Sequence, residues 1–200
     1  MSSASWPGSV FARLYDAHPD PWGFETRAYE RRKYARTLAV LGERRFDFAL
    51  ELGCSIGVMT AELAPRCARL LGVDVAEAAL RRARARCRGW PAVSFHQGHL
   101  PGAFPALSPG SCDLIVVSEL LYFLSRADIM ALADRILAVA RPDASILLVN
   151  WTGPTDTPCT GDEAADLFLG QCRGAGWAGA FSERRDGYRI DLLAGDIRGT

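Results

Sequence analysis

Short apolar runs of strand length alternate with longer segments of helical character along most of the chain. The runs that predict β-strands occupy residues 46–52, 70–75, 93–97, 113–117 and 144–149. Segments that predict helices occupy residues 58–67, 76–88, 127–140 and 161–175, and the prolines at 65 and 142 mark helix ends. Two further apolar runs, residues 178–183 and 188–193, flank the turn signal R-R-D-G and predict a hairpin.

This alternation predicts the α/β class. Five strands separated by helices call for a doubly wound, mostly parallel sheet, since right-handed crossovers place helices on both faces. The hairpin would add antiparallel strands at one edge and bring the sheet to seven strands. Ligands of such sheets bind beyond the carboxyl ends of the strands, at the switch point of strand order. We therefore expect the chemistry in the loops after the first, second and fourth strands.

Length, charge and cysteine usage narrow the class of protein. The chain has 200 residues with 49% hydrophobic content, which suits one globular domain, and its 23 basic and 23 acidic residues cancel, so we expect no nucleic-acid partner. No apolar run reaches membrane-span length, and the first ten residues lack the features of an export signal. The six cysteines stand singly, without metal-ligand spacing. These features predict a cytoplasmic protein without a metal or membrane partner, monomeric by default.

The loop after the first strand reads E-L-G-C-S-I-G, from Glu51 to Gly57. Glycines here let the backbone turn sharply and approach a ligand at a helix N-terminus. The spacing G-x-x-x-G differs from both the dinucleotide fingerprint and the phosphate loop, and Glu51 would repel phosphate but suit an ammonium group. The alternative is a glycine turn that only packs strand against helix.

Asp74 ends the second strand, L-L-G-V-D-V. A carboxylate at that strand end can accept hydrogen bonds from both hydroxyls of an adenosine ribose. The alternatives are a solvated strand-end carboxylate and the N-cap of the next helix.

Together, the loop, Asp74 and the alternating elements make residues 46–151 resemble the class I S-adenosylmethionine-dependent methyltransferase core. The resemblance implies S-adenosylmethionine as cofactor and S-adenosylhomocysteine as product. It also implies an organisation of the single domain, residues 1–200, into a helical lid segment (1–41), a cofactor-binding core (46–151), and an acceptor loop, helix and hairpin (152–200). The cofactor-binding residues that we expect are Trp22, Tyr29, Glu51, Gly53, Cys54, Ser55, Gly57, Asp74, Val75, Gly98, His99, Leu100 and Ser118.

The flanking segments narrow the resemblance to the NodS-like methyltransferases. These segments are L-Y-D-A-H-P-D-P-W-G-F-E-T-R-A-Y-E-R-R-K-Y at 14–34, S-E-L-L-Y-F at 118–123 and W-T-G-P-T-D-T-P-C-T-G-D-E at 151–163. Named members of that family N-methylate the de-N-acetylated end of chitooligosaccharide signal precursors. Two positions depart from the family pattern: His99 replaces an acid at the adenine edge, and Asn150 replaces a histidine before Trp151. A neutral imidazole at His99 could still accept from the adenine amino group.

An amine acceptor must lose its proton before it attacks a methyl group, which calls for a nearby carboxylate. Glu119, just past the fourth strand, is the expected catalytic residue, with Tyr122 beside it; the alternative is a helix-start carboxylate. The expected substrate contacts are Trp151, Asp162 and Glu163, and the alternative for the two acids is a role in the first turn of a helix. The arginines at 81, 82, 84, 86 and 88 are interpreted as a solvated helix face, and Cys54 as a small loop residue without a catalytic role.

The resemblance and the site residues predict an S-adenosylmethionine-dependent N-methyltransferase for the amine of an amino-sugar or a de-N-acetylated chitooligosaccharide-like acceptor. Its partner would be a small molecule or an oligosaccharide. The alternatives are a methyltransferase for another small amine or hydroxyl, and a cofactor-binding protein without turnover.

Overall fold

The computed structural model describes residues 4–195 and divides into two compact units. The first unit is Pro7–His99, and the second comprises the segments Met1–Trp6 and Leu100–Thr200. The outermost residues of the predicted domain, 1–3 and 196–200, lie outside the described residues.

The first unit begins with two helices in the predicted lid segment and continues with strand and helix in alternation. Its helices are α1 (Gly8–Ala17), α2 (Ala28–Val40), α3 (Val58–Leu63), a 3-10 helix (Ala64–Arg66) and α4 (Glu77–Arg86). Its strands are β1 (Ala49–Leu52), β2 (Leu70–Asp74) and β3 (Val93–Gln97). The three strands are parallel in the order β3-β2-β1, and every residue of β1 is buried. Burial of a whole strand explains why its residues, apart from Glu51, are apolar without alternation.

The second unit contains the remaining four strands. They are β4 (Cys112–Ser118), β5 (Ala140–Trp151), β6 (Ala178–Arg185) and β7 (Tyr188–Ala194), in the order β4-β5-β7-β6. A 3-10 helix (Leu121–Phe123) and α5 (Arg126–Val139) connect β4 to β5, and α6 (Gly161–Gly174) follows β5. Strands β4 and β5 are parallel, whereas β7 is antiparallel to both β5 and β6. The predicted hairpin is therefore confirmed.

All seven predicted strands are present, and three element boundaries differ from the prediction by three residues or more. The first strand begins at Ala49, because Phe46 makes only an isolated bridge to Cys67. The first core helix changes to 3-10 geometry at Ala64, next to Pro65, whose ring prevents a regular helical hydrogen bond.

The third boundary is the start of β5. Helix α5 ends at Val139, within one residue of its predicted end, but β5 begins at Ala140 instead of residue 144 and has an irregular register against β4. Pro142 has no N–H for the ladder and favours an extended residue before it, so the strand begins early and bulges there.

No helix within residues 4–195 is long and apolar enough to cross a membrane.

Candidate active site

The loop after β1 is held in a conformation that few residues adopt. Gly53, Ser55 and Gly57 all have positive φ, at 82°, 51° and 76°. The backbone N–H groups of Gly53 and Cys54 both donate to the carbonyl of Val73, over 2.9 and 3.0 Å. A side chain at Gly57 would also lie 2.8 Å from the Cβ of Ala83. Glycine is thus required here both for backbone conformation and for close packing against α4.

Asp74 fixes this loop from the end of β2. Its Oδ2 accepts from the N–H of Ser55 over 2.9 Å, and its Oδ1 accepts from the N–H of Ala76, also over 2.9 Å. Burial raises the pKa of the Asp74 carboxyl, although the backbone N–H groups partly offset that effect. Two carboxylate oxygens can accept about four hydrogen bonds in all, so Asp74 retains capacity for ligand hydroxyls.

Glu51 is a buried carboxyl in β1, just before this loop. Its side chain is 1% exposed, and its Oε2 atom has no hydrogen-bond partner within the part of the chain that the structure describes. The pKa of Glu51 is raised to about 8, chiefly by burial and to a smaller extent by Asp74, against the lowering effect of the Thr60 hydroxyl. A buried polar atom without a partner is costly. Glu51 is therefore suited to a ligand group that donates a hydrogen bond or carries positive charge.

Tyr15 and Trp22 join the N-terminal helical segment to this loop. The hydroxyl groups of Tyr15 and Ser55 are hydrogen-bonded to each other. Trp22 meets the Tyr15 ring edge-on, with centroids 5.4 Å apart, and both pack in a cluster with Ile56. Burial is the main cause that raises the pKa of Tyr15, and Asp74 adds to it. Sequence analysis missed Tyr15, because 40 residues separate it from Ser55 and no local pattern indicates the contact.

Three other predicted cofactor-binding residues, Val75, Gly98 and His99, follow the ends of β2 and β3, whereas Tyr29 lies in α2. Gly98 donates its N–H to the carbonyl of Asp74 over 3.0 Å. A side chain at Gly8 would lie 2.6 Å from Val75 and 3.6 Å from His99, so the start of α1 packs against both residues. Cys54 is buried, and burial raises the pKa of its thiol, which favours the uncharged form and the non-catalytic interpretation.

Two charged features of this unit also escaped sequence analysis. Lys33 is 2% exposed, forms a 2.8 Å ion pair with Glu30, and lies 5.5 Å from the ring centre of Tyr29. Arg86 was interpreted as part of a solvated face. Instead its Nε donates to the carbonyl of Ile56 over 3.0 Å, and its guanidinium lies 3.1 Å from the Glu25 carboxylate. The i,i+3 spacing of Glu30 and Lys33 is a signal that could have indicated the first pair.

A second cluster, in the second unit, contains the predicted catalytic residues. Glu119 follows Ser118, the last residue of β4, and has a positive φ of 53°. Its Oε2 accepts from the Tyr122 hydroxyl over 2.7 Å and from the N–H of Trp151 over 2.9 Å. The structure thus brings together Glu119, Tyr122 and the backbone of Trp151. Leu100 is buried elsewhere in this unit.

Asp162 and Glu163 lie in the first turn of α6, where they make structural contacts. Glu163 and Thr160 form a capping box. Asp162 bonds to Arg184 and lies 3.5 Å from Arg189. Both contacts lower the pKa of Asp162, and the hydrogen bond from Arg184 contributes most. Hydrogen bonds from Thr160 lower the pKa of Glu163. The helix-turn alternative therefore accounts for both carboxylates in this structure.

Asn150 is completely buried beneath the start of α6. A side chain at Gly161 would lie 3.4 Å from its Cβ, and among residues 4–195 neither polar atom of its amide has a hydrogen-bond partner. Asn150 is thus not a member of the Glu119 cluster by any contact that we observe.

Comparison with known proteins finds relatives named Nodulation protein S. The family model "Nodulation protein S (NodS)" matches residues 10–159. The chain is 37% identical over 131 residues to Nodulation protein S of Bradyrhizobium diazoefficiens, covering 64% of this chain and 61% of the relative. It is 34% identical over 114 residues to Nodulation protein S of Sinorhizobium fredii, covering 54% of this chain and 49% of the relative. The chain thus spans about half to three-fifths of the length of these relatives.

Solved structures show the same fold. A Pseudomonas syringae protein named as a methyltransferase is 34% identical, with a TM-score of 0.71 over 84% of this chain and 99% of that one. The N-methyltransferase NodS of Bradyrhizobium japonicum, solved with S-adenosylhomocysteine, is 21% identical, with a TM-score of 0.79 over 94% of this chain and 97% of that one. The predicted fold class is confirmed: the chain has the Rossmann-like fold of class I methyltransferases. Because the family model covers most of the chain, the protein belongs to the NodS family.

Proposed function

We propose that this protein is an S-adenosylmethionine-dependent N-methyltransferase. The observation that carries the proposal is the buried Oε2 of Glu51 in β1, which has no hydrogen-bond partner within residues 4–195 and stands just before the loop that Asp74 fixes. A carboxylate in that position suits the ammonium of an amino-acid moiety, and the neighbouring strand end suits a ribose. Membership of the NodS family supports methyl transfer to nitrogen.

The residues present fit this cofactor. Glu51 would bind its ammonium group, and Asp74 would accept from its ribose hydroxyls. Gly53, Cys54 and the other loop residues would let the backbone approach it, while Trp22 and Tyr29 offer aromatic faces to a cation. His99 and Leu100 would border the adenine, together with Val75, Gly98 and Ser118. When bound, S-adenosylmethionine supplies an electrophilic methyl group on a sulfonium.

Glu119 would prepare the acceptor. Its carboxylate would orient the acceptor ammonium and take up the proton that the nitrogen must lose before its lone pair can attack. The hydrogen bonds from Tyr122 and from the N–H of Trp151 fix the position of Oε2. Trp151 would contribute its ring to the acceptor site.

We infer that the acceptor is the amine of an amino-sugar or of a de-N-acetylated chitooligosaccharide-like molecule. This inference rests on the NodS family and its named members. A second candidate, another small amine, is favoured by one observation: Asp162 and Glu163 already bond to Arg184, Arg189 and Thr160, which leaves them fewer acceptor positions for a sugar.

Calorimetry and a labelled-methyl assay test this proposal together. We expect S-adenosylhomocysteine to bind the parent protein and to bind Glu51→Ala far more weakly. With labelled S-adenosylmethionine, glucosamine oligomers with a free amine should be methylated, and the N-acetylated oligomers should not. Transfer to simple amines only would select the second candidate. Binding without transfer to any amine or hydroxyl acceptor would identify a cofactor-binding protein without turnover, and absence of binding would refute the proposal.

A further inference from the structure

We propose that Ser5 and Trp6 are positioning residues, which hold the short turn that carries Tyr122 and thereby fix the Tyr122–Glu119 hydrogen bond. These two residues are called the N-terminal latch below. The expected effect of the latch on the catalytic rate rests on the proposed function, whereas its effect on the position of the 3-10 turn does not. Both residues lie outside residues 10–159, the part of the chain that the family model matches.

Ser5 is bonded to the start of α5. Its hydroxyl oxygen accepts from the N–H of Ser125 over 2.7 Å, and its hydroxyl hydrogen is donated to Asp128. Ser125 is itself the N-cap of α5, and its own hydroxyl accepts from the N–H of Asp128 over 3.1 Å. The Ser5 hydroxyl therefore completes a hydrogen-bonded ring around the cap, some 120 residues away in sequence.

Trp6 holds the residue next to Tyr122. The N–H of Trp6 donates to the carbonyl of Phe123 over 2.9 Å, and the two rings lie with centroids 5.0 Å apart. The Phe123 ring in turn lies 4.6 Å from the Tyr122 ring. One backbone bond and two ring contacts thus connect the latch to Tyr122.

The turn needs such support because it is small. The 3-10 helix Leu121–Phe123 is three residues long, and 3-10 geometry gives weak hydrogen bonds of its own. It starts just after Glu119, whose positive φ is strained for a residue with a side chain. The N–H of Cys159 also contacts the turn, over a longer 3.4 Å to the carbonyl of Tyr122, and α6 packs against it. A shift of Phe123 would therefore move Tyr122 relative to Oε2 of Glu119.

The test uses paired variants of each latch residue in the full chain. Trp6→Ala and Ser5→Ala remove the contacts, whereas Trp6→Phe and Ser5→Thr keep a ring or a hydroxyl. Trp90→Ala is the matched control, since Trp90 is 39% exposed and belongs to the other unit. We expect the alanine variants at 5 and 6 to lower kcat by about 10- to 100-fold with unchanged affinity for S-adenosylhomocysteine, because small displacements of a positioned group cost rate. The conservative variants and the control should keep parental kcat.

Amide hydrogen exchange tests the geometry without relying on turnover. Ser5→Ala should accelerate exchange of the Ser125 amide by tenfold or more, and Trp6→Ala should shift the Tyr122 ring resonances. If the parent transfers no methyl group, the proposed function fails, and these two measurements alone decide the latch. Should Trp6→Ala fail to fold, Ser5→Ala and Trp6→Phe carry the test. Parental kcat in the alanine variants, or unchanged exchange and unchanged Tyr122 resonances, would overturn the proposal.

Discussion

Tyr122 donates its hydroxyl hydrogen to Oε2 of Glu119 over 2.7 Å, three residues back along the chain. The bond is made within a tight bend, which the positive φ of Glu119 produces. It leaves the carboxylate oriented by two donors, Tyr122 and the N–H of Trp151. These two hydrogen bonds hold Glu119 in one position, which its proposed role as proton acceptor requires.

Glu119→Gln should lower turnover by roughly 10²- to 10⁴-fold, the range for loss of a general base. Tyr122→Phe removes one donor and should lower it by about tenfold or more, the effect of one hydrogen bond to a charged group. Steady-state kinetics with an amine acceptor measure both. Affinity for S-adenosylhomocysteine should not change, and Glu62→Gln, an exposed carboxylate, serves as the control. Parental turnover in Glu119→Gln would remove Glu119 from the mechanism.

Asp74→Ala should weaken cofactor binding by about 30- to 150-fold, which corresponds to the loss of roughly 2–3 kcal/mol of charge-assisted hydrogen bonding. The protein should also lose stability, because the N–H groups of Ser55 and Ala76 lose their acceptor. Titration calorimetry and thermal unfolding measure the two effects separately. A folded Asp74→Ala protein with parental affinity would contradict the assignment of the ribose site.

Gly53→Val should abolish cofactor binding, because a β-branched residue is strained at a φ of 82° and its side chain would occupy the path of the cofactor. Gly42→Ala is the matched control: Gly42 also has positive φ, at 61°, and a side chain there would meet no atom within 4 Å. The control should lose about 1 kcal/mol of stability or less and keep parental affinity. Equal affinity in Gly53→Val and the parent would show that this loop does not approach the cofactor.

The alternation of elements could be predicted from the sequence, and so could the loops in which we propose the chemistry, because both follow from local patterns. The apolar β1, the glycines at 53 and 57, and Asp74 are each visible within a few residues. The contacts that shape the site are not local. Tyr15 meets Ser55 across 40 residues, and Ser5 meets Ser125 across 120. Such pairs depend on how helices and loops pack, which periodicity does not encode.

Burial was the second property that the sequence could not supply. The arginines at 81–88 indicated a solvated helix, yet Arg86 bonds to the backbone carbonyl of Ile56. The burial of Lys33 in an ion pair had no signal of its own beyond the spacing to Glu30. Asp162 and Glu163 were likewise expected to contact the acceptor, because they lie in a segment that resembles the family. Their actual partners come from the hairpin and from Thr160.

Binding of S-adenosylhomocysteine should strengthen as pH rises toward about 8. Glu51 has a pKa of about 8 in the folded chain, so below that pH its carboxyl holds a proton that a ligand ammonium must displace. Calorimetry at pH 7 in buffers of different ionisation enthalpy should detect proton release on binding. Glu51→Gln should bind more weakly and without this release, whereas His99→Gln should still show it. Proton release that persists in Glu51→Gln would show that another group is responsible.

The stability of the folded chain should fall as pH rises, whereas ligand binding strengthens, and both effects come from the Glu51 carboxyl. The ordinary value of 4.5 describes the unfolded chain, so between pH 4.5 and 8 the folded chain holds a proton that the unfolded chain releases. The contribution of Glu51 to stability is thus full below pH 4.5 and is lost as pH rises through 8. Denaturant unfolding of the parent and of Glu51→Gln across this range should show a decline in the parent that the variant lacks. Parallel curves would contradict the raised pKa.

Tyr15→Phe should weaken cofactor binding several-fold and lower the free energy of unfolding by about 1 kcal/mol. The hydroxyl of Tyr15 is bonded to Ser55, and an unpaired buried Ser55 hydroxyl is costly. Calorimetry and chemical unfolding measure the two quantities. If only stability changed, Tyr15 would support the loop without affecting the ligand.

The chemical identity of the methylated atom decides whether the protein transfers a methyl group to nitrogen. The protein is incubated with S-adenosylmethionine carrying a ¹³C-labelled methyl group and a glucosamine oligomer that has one free amine, and the product is examined by NMR. We expect a labelled methyl group on nitrogen. This signal should be absent when the amine is acetylated, and Glu119→Gln should reduce it at least 100-fold. A labelled methyl on oxygen, or equal labelling of the acetylated oligomer, would contradict this expectation.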